Sequence, residues 1–142
     1  MIEQIRVLST FLVCLTIVIS MTEIPISAET QVEMTVESCG ELDKSVEELD
    51  KIYKEILKDR TGDEQFIAAF KKAQKTWEVY RDAHLEALYP GSPEKYGSVN
   101  AMCRCVILNR MTRERIETLR YWLSGDTEGD VCAGSRMRRG NR

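Results

Sequence analysis

The sequence has few of the residues that most often carry catalysis or bind metals. His84 is its only histidine, and no serine or cysteine lies close to it in sequence to serve as a nucleophile. No glycine-rich phosphate loop occurs. The neighbouring carboxylates Glu47 and Glu48 belong to a charged stretch that we expect to be the solvated face of a helix. The sequence therefore predicts a protein that is not an enzyme, without catalytic residues, cofactor or metal.

The sequence also lacks a strong overall charge. The net charge is −3 over 142 residues, which gives no indication of nucleic-acid binding. The charge is unevenly distributed, however. Residues 29–64 carry 12 acidic and 5 basic residues, whereas residues 99–142 carry 5 acidic and 9 basic ones. These two regions either face each other or solvate different faces of one small domain.

No hydrophobic run is long enough for a typical membrane span. Residues 7–21 are uncharged and mostly apolar, which is shorter than the roughly 20 residues that a spanning helix needs. Arg6 precedes this run and small Ala28 follows it, as in a secretory signal peptide. We predict a cleaved signal over residues 1–28, a periplasmic or secreted protein, and no membrane contact after cleavage. A retained anchor is the alternative. Lipidation of Cys14 is disfavoured because bulky Val13 precedes it.

Cleavage after residue 28 would leave four cysteines. An even number in an exported domain of this size predicts two disulfides, with free buried thiols as the alternative. A zinc site is disfavoured, because a single residue between two cysteines is too tight for the usual knuckle. The four predicted disulfide cysteines are Cys39, Cys103, Cys105 and Cys132.

Three apolar stripes with helical spacing follow one another along the mature chain, and no alternating pattern indicates a strand. We expect helices from Ser38 or Cys39 to the turn at Gly62, from about Glu64 to Leu88, and from about Ser98 or Val99 to Ser124. The predicted fold is an all-α, three-helix antiparallel bundle stapled by two disulfides. We expect a flexible segment over residues 29–38, the helical domain over 39–132 and a disordered basic tail over 133–142.

The bundle geometry favours particular disulfides. Cys39 begins the first helix at the end of the bundle where the third helix also begins. Cys103 and Cys105 lie about 200° apart around a helix, so they cannot both face one neighbour. We expect Cys39–Cys105 together with Cys103–Cys132; the swapped pairing is the next alternative.

One motif in the second helix combines a tryptophan with polar residues. Gln74, Trp77 and Arg81 are spaced so that they share one helix face, and Asp82 follows. Trp77 is expected in the core. Arg81 is expected to stack on an aromatic ring or to pair with a helix-one acid such as Glu47 or Asp50. Gln74 is expected to bridge groups at a contact between helices.

This motif resembles the LprI-type lysozyme-inhibitor family. The resemblance extends over roughly residues 39–132 and includes Gly97-Ser98, with a cysteine soon after, and Thr112-x-x-Arg115-x-x-x-Leu119. It implies an exported bacterial protein that is helical and disulfide-bonded, and the activity for which the family is named is lysozyme inhibition. Family members usually have a cysteine shortly after the Arg-Asp pair, where this chain has Ala83, His84 and Leu85.

A protein partner is therefore the expected ligand, with lysozyme as the candidate. C-type lysozyme is strongly basic and has a carboxylate-lined cleft, so an inhibitor could present acids to its surface or a basic loop to its cleft. The alternatives are a structural or interaction domain of the periplasm without a lysozyme target, and immunity against another peptidoglycan-cleaving protein. The residues that we expect at a partner are Glu47, Glu48, Asp50 and Arg104, the last beside the 90–98 loop.

Overall fold

Every regular element in the described part of the chain is helical. The computed structural model describes residues 28–125 and 130–136. Helix α1 spans Ala28–Asp59, α2 spans Glu64–Leu88 and α3 spans Asn100–Ser124. No strand occurs within these ranges, so the predicted all-α class with three long helices is confirmed.

Two short 3-10 helices complete the described chain, at Pro93–Tyr96 and at Gly134–Arg136. The second one falls at the start of the predicted disordered tail, and Ala133 before it is buried at 3% exposure. Ordered chain therefore continues past Cys132. The rest of the tail and the predicted signal peptide before Ala28 lie outside the described residues and stay predictions.

Helix α1 begins earlier than the sequence pattern indicates. It starts at Ala28, so the predicted start at Ser38 or Cys39 is wrong and residues 29–38 are helical. Extending an existing helix adds hydrogen bonds without a new nucleation cost, which explains how a stretch with weak apolar periodicity becomes helical. The Gln31 side chain also accepts a hydrogen bond from the Ser98 hydroxyl at 2.8 Å, which anchors this first part of α1.

The turn between α1 and α2 forms where glycine and aspartate predicted it. Gly62 has φ +88°, a backbone conformation that glycine adopts without strain. Asp63 caps α2 by accepting a hydrogen bond from the Phe66 backbone N–H at 3.1 Å. Arg60 is buried at 4% exposure, and its guanidinium lies 5.0 Å from the centre of the Phe66 ring.

The core lies where all three helices meet. Ile56 of α1 and Leu119 of α3 are almost inaccessible, at 1% and 0% exposure. Aromatic rings from α2 contact rings of both other helices: Phe70 lies 5.5 Å from Tyr53 and 5.6 Å from Trp122. The buried members of the core are Leu49, Ile52, Ile56, Phe66, Phe70, Ile116 and Leu119.

Helices α1 and α3 run in the same direction and form the closest pair. Their cross-contacts advance together along both helices, from Cys39–Cys105 through Ser45–Asn109 to Glu48–Arg120. Helix α2 runs in the opposite direction through the short connections on either side. The arrangement is the up-down-up order that short connections favour.

One of the two expected disulfides is present. Cys39 and Cys105 are joined, with their Cα atoms 5.0 Å apart, which confirms the preferred partner of Cys39. Cys103 and Cys132 are both free thiols, so the expectation of a second disulfide is wrong.

Geometry explains the missing bridge. The axial distance from Cys103 to the end of α3 at Ser124 is about 32 Å. The eight residues from Gly125 to Cys132 reach at most about 28 Å when fully extended, which only just suffices once the roughly 5.5 Å between bridged Cα atoms is added. The chain is not fully extended, because the Ala133 N–H closes a turn onto the Asp130 carbonyl at 3.1 Å. Cys132 therefore remains exposed.

Candidate functional site

Trp77 lies at the centre of the motif that the sequence singled out. Its side chain is half-buried against the core. Two guanidinium groups approach the indole ring, that of Arg81 at 5.4 Å and that of Arg115 at 5.7 Å from its centre. A guanidinium within about 6 Å of an aromatic ring is attracted by the charge distribution of the ring. The motif thus brings one cation from α2 and one from α3 to the same tryptophan.

Gln74 connects this cluster to α3. Its side chain is buried at 7% exposure, and its Oε1 atom accepts a hydrogen bond from Arg115 Nε at 3.1 Å. Burying an amide without a hydrogen bond is costly, so this contact satisfies a polar group inside the helix interface. The structure therefore places Gln74 and Arg115, from two separate sequence motifs, in direct contact.

Arg81 does not pair with an acid of α1. It forms an ion pair with its neighbour Asp82, with 2.7 Å between Nη2 and Oδ1, while its guanidinium lies over Trp77. Among the described residues no ion pair joins Arg81 to Glu47 or Asp50. Of the two predicted arrangements for Arg81, the structure shows stacking on an aromatic ring.

Arg115 is unusual among the arginines of α3. Burial lowers the pKa of its guanidinium from the ordinary value, because removing a charged group from water disfavours the charged form. No carboxylate lies within ion-pair distance of Arg115 in residues 28–125 and 130–136. Arg115 is therefore a half-buried cation whose described side-chain partners are an amide and an aromatic ring.

Thr112, one turn before Arg115, is completely buried. Its hydroxyl has no hydrogen-bond partner among the described residues. The structure therefore places this family-motif residue in the helix interface, away from the exposed surface.

Two open grooves border Trp77. The α2–α3 groove has a volume of about 250 Å³ and the α1–α2 groove one of about 410 Å³. Arg115 lines the first and Arg81 the second. The α2–α3 groove is lined by Trp77, Tyr80, His84, Arg110, Met111, Glu114, Arg115 and Thr118.

The acids from Glu41 to Asp50 in the middle of α1 divide into two groups. Glu48 pairs with Arg120 of α3 at 2.5 Å, and Glu41 lies 3.7 Å from Arg113. Asp43, Glu47 and Asp50 follow each other at helical spacing and are all exposed; we call these three residues the acidic stripe. Asp50 pairs within its own helix with Lys54, and none of the three pairs with an arginine of α3 in the described chain.

The connection between α2 and α3 is a structured loop. Its 3-10 helix is held by the Tyr96 hydroxyl, which donates a hydrogen bond to the Pro90 carbonyl at 2.8 Å. The rings of Tyr89 and Tyr96 meet edge to face at 5.2 Å, and the guanidinium of Arg104 lies 5.9 Å from the Tyr89 ring. Arg104 therefore belongs to the base of this loop, as the sequence order suggested.

Tyr89 was not among the predicted site residues. Burial, and next the neighbouring Cys103 thiol, raise the pKa of the Tyr89 phenol. A groove of about 510 Å³ lies beside it. The tyrosine stands directly before Pro90, so its position at the helix end was visible in the sequence, but its contacts depend on how the loop folds back.

These features define a class of protein. The described residues form a small helical protein with one interhelical disulfide and an exposed acidic stripe on α1. Across residues 28–125 and 130–136, no group of histidine, cysteine and carboxylate side chains could hold a metal ion. No helix in the same residues is both long and apolar enough to cross a membrane.

The chain belongs to the LprI lysozyme inhibitor family. The family model described as "Lysozyme inhibitor LprI" matches residues 23–119, more than half of the chain, which confirms the resemblance. The match includes the start of α1, which the sequence motifs had left out, and ends before Cys132. Comparison with curated proteins and with solved structures gives no match.

Proposed function

We propose that this protein is exported and that it binds and blocks a lysozyme-type muramidase. Membership of the inhibitor family supports the proposal. The structural observation that carries it is the acidic stripe, because Asp43, Glu47 and Asp50 are exposed and are not neutralised by α3. A basic enzyme would be attracted to such a surface, since complementary charge accelerates association.

The 90–98 loop is the proposed inhibitory element. It is exposed over most of its length, and Lys95 and Arg104 add positive charge to it. Its internal tyrosine contacts hold it in one conformation, which reduces the entropy lost on binding. The Cys39–Cys105 disulfide links the part of α1 that precedes the acidic stripe to the α3 turn that carries Arg104. The loop lies beside Gln31 near the start of α1, and Asp43 follows about 18 Å further along that helix. A partner that contacts both the stripe and the loop therefore has to span at least this distance.

The first test is a titration of C-type lysozyme activity with the purified mature protein at low and high salt. We expect inhibition at micromolar concentration, weaker at high salt because counterions screen exposed charges. The triple variant Asp43→Asn, Glu47→Gln, Asp50→Asn should bind about tenfold more weakly at low salt. The matched control is Glu55→Gln, an exposed acid of α1 outside the stripe, which should inhibit like the parent protein. Absence of inhibition at micromolar concentration would refute the proposal.

The second test addresses the loop. The double variant Lys95→Gln, Arg104→Gln should increase the dissociation rate, whereas the triple variant of the stripe should mainly decrease the association rate, because contacts that form after encounter act on dissociation. Surface-bound lysozyme in a flow-cell experiment separates the two rates. Equal dissociation rates for the double variant and the parent would exclude the loop from the contact.

The competing proposal is a non-catalytic interaction domain of the periplasm without a lysozyme target. The pairing of Glu41 and Glu48 with arginines of α3 favours it, because these acids then connect two helices of the same chain and are less available to a partner.

Inhibition assays with several unrelated muramidases distinguish lysozyme inhibition from immunity against another peptidoglycan-cleaving protein. Failure against all of them, with capture of a non-enzymatic envelope protein, would favour the interaction domain.

A further inference from the structure

We propose that the α2–α3 groove is a binding site for a small ligand with a carboxylate beside a short apolar group, held by the guanidinium of Arg115. This inference goes beyond inhibition of lysozyme and does not depend on it. It rests on the size of the groove, on the charge of its lining and on the Nη donors of Arg115, for which the described residues provide no acceptor.

The groove has the size of a small ligand. Its volume of about 250 Å³ lies just below the range of roughly 300–1,000 Å³ that is typical of sites for drug-sized molecules. A capped dipeptide or an organic acid of similar size would fill it. A whole protein loop would not enter it without opening the helices.

The charge of the groove favours an anion. Arg115 lies half-buried between the helices, and Arg110 is exposed at the rim. Glu114 is the one carboxylate of the lining, and no ion pair joins it to either arginine in the described residues. The lining of the groove therefore has two positively charged side chains and one negatively charged side chain.

Arg115 has hydrogen-bonding capacity left over. A guanidinium has five N–H donors, and the hydrogen bond described for Arg115 is the one from Nε to Gln74. This bond fixes the orientation of the guanidinium plane, with Trp77 beneath it at 5.7 Å. The Nη atoms of Arg115 are not among the buried atoms that lack a partner, so water can reach them. A carboxylate that accepts two parallel N–H bonds would replace that water with a charge-assisted pair.

The other wall of the groove suits an apolar group. Trp77, Met111 and Tyr80 contribute to it, and Tyr80 is 58% exposed. The Tyr80 ring lies 5.9 Å from the His84 ring, so an aromatic edge continues along α2. A ligand with its carboxylate at Arg115 would place its apolar part against these side chains.

The α1–α2 groove is a weaker candidate for the same ligand. Two of its three cations already have partners: Lys75 pairs with Glu78 at 3.3 Å and Arg81 with Asp82 at 2.7 Å. Lys71 is the third. Asp50 and Glu78 add negative charge to its lining. The linings of the two grooves carry the same net charge of +1, so the grooves differ in how their cations are paired and not in total charge.

The test uses N-acetyl-alanyl-alanine as the probe and the same dipeptide with an amidated C-terminus as its control. The probe is titrated into the ¹⁵N-labelled mature protein and followed by NMR. The two tryptophans provide an internal reference, because Trp77 borders the groove while Trp122 packs among core rings. We expect saturable shifts of the Trp77 indole N–H and the Arg115 Nε–H, with a Kd of about 1 mM, as expected for a ligand of this size. The amide should bind at least about tenfold more weakly.

Variants locate the site. Arg115→Lys keeps the charge but loses the two-pronged geometry, and we expect about fivefold weaker binding. Arg110→Gln and Tyr80→Ala change exposed residues, so they test the groove even if Arg115→Lys fails to fold; each should weaken binding by about threefold. Arg113→Gln, an exposed α3 arginine outside the groove, should bind like the parent. Equal shifts with the amidated peptide, equal binding by Arg110→Gln and Arg113→Gln, or no saturable shift of Trp77 would each overturn the proposal.

Discussion

The contacts between α1 and α3 differ in kind from those that hold α2. The first pair is joined by a disulfide, by a 2.6 Å hydrogen bond from the Ser45 hydroxyl to Asn109 and by the Glu48–Arg120 ion pair. Helix α2 is held mainly by aromatic rings and by one hydrogen bond to α3. Directional and covalent bonds thus fix one pair of helices, whereas α2 depends on apolar burial. Because α2 borders both grooves, the less rigidly bonded helix is also the one that shapes the candidate small-ligand site.

The largest expected effect comes from removing the covalent part of the α1–α3 contact. The double variant Cys39→Ser, Cys105→Ser loses a cross-link between residues 66 positions apart, so its free energy of unfolding should fall by about 4 kcal/mol. Urea denaturation of the parent and the variant measures this difference. Cys103→Ser removes a free thiol and should unfold close to the parent. An equally large loss in Cys103→Ser would show that the cross-link is not the cause.

The next effect tests the aromatic support of α2. Trp77→Ala removes a half-buried indole and its two cation contacts, so we expect about 2–3 kcal/mol of destabilisation, below the cost for a fully buried tryptophan. Trp77→Phe should recover most of this, because an aromatic ring remains at the interface. Thermal unfolding and export yield measure the loss. If Trp77→Ala remained fully stable but lost lysozyme binding, Trp77 would be a partner contact and not a structural one.

A smaller effect isolates the one hydrogen bond between α2 and α3. A double-mutant cycle with Gln74→Ala and Arg115→Ala should give a coupling energy of about 1 kcal/mol. The control cycle combines Gln74→Ala with Arg120→Ala, since Arg120 contacts Glu48 of α1, and should give a coupling near zero. Equal coupling energies in the two cycles would mean that the Gln74–Arg115 hydrogen bond is not the source of the coupling.

The smallest effect concerns an exposed ion pair of α1. The hydrogen bond and charge of Lys44 hold the pKa of Glu41 below its ordinary value of 4.5, with a lesser contribution from Arg113. A lowered folded-state pKa means that the contribution to stability is present above the unfolded pKa and is lost as the pH falls through the folded one. Glu41→Gln should therefore be slightly less stable than the parent at pH 7. The two proteins should be equally stable at a pH low enough to protonate the Glu41 carboxyl in both the folded and the unfolded parent. Melting temperatures of both proteins between pH 7 and pH 2 test this, and a difference that persists at pH 2 would contradict it.

Much of the fold could be predicted because local signals agree with packing. Asp63 and Gly62 mark the first turn, and the predicted ends of α2 match the observed Glu64–Leu88. The start of α1 could not be predicted from the same signals. Val32 and Val36 are 62% and 68% exposed, so this part of the helix buries little surface and leaves a weak apolar pattern.

The candidate sites were less predictable than the fold. Spacing placed Gln74, Trp77 and Arg81 on one face, but it could not show that Arg115 from α3 completes the cluster, since that contact depends on the register between two helices. Which acids of α1 pair with arginines of α3 also depends on the register between the two helices. Glu48 and Glu47 are neighbours in sequence, yet one pairs with Arg120 and the other is exposed, because successive residues on a helix point about 100° apart.

The position of the disulfide has a consequence for resistance to proteolysis. Because Cys39 and Cys105 are its ends, the closed covalent ring includes all of α2 and the exposed 90–98 loop. A protease that cuts this loop would leave both pieces attached to each other, and the cut protein would run as one molecule until it is reduced. An exposed loop of the kind that proteases cut thus lies within the part of the chain where a single cut releases no fragment.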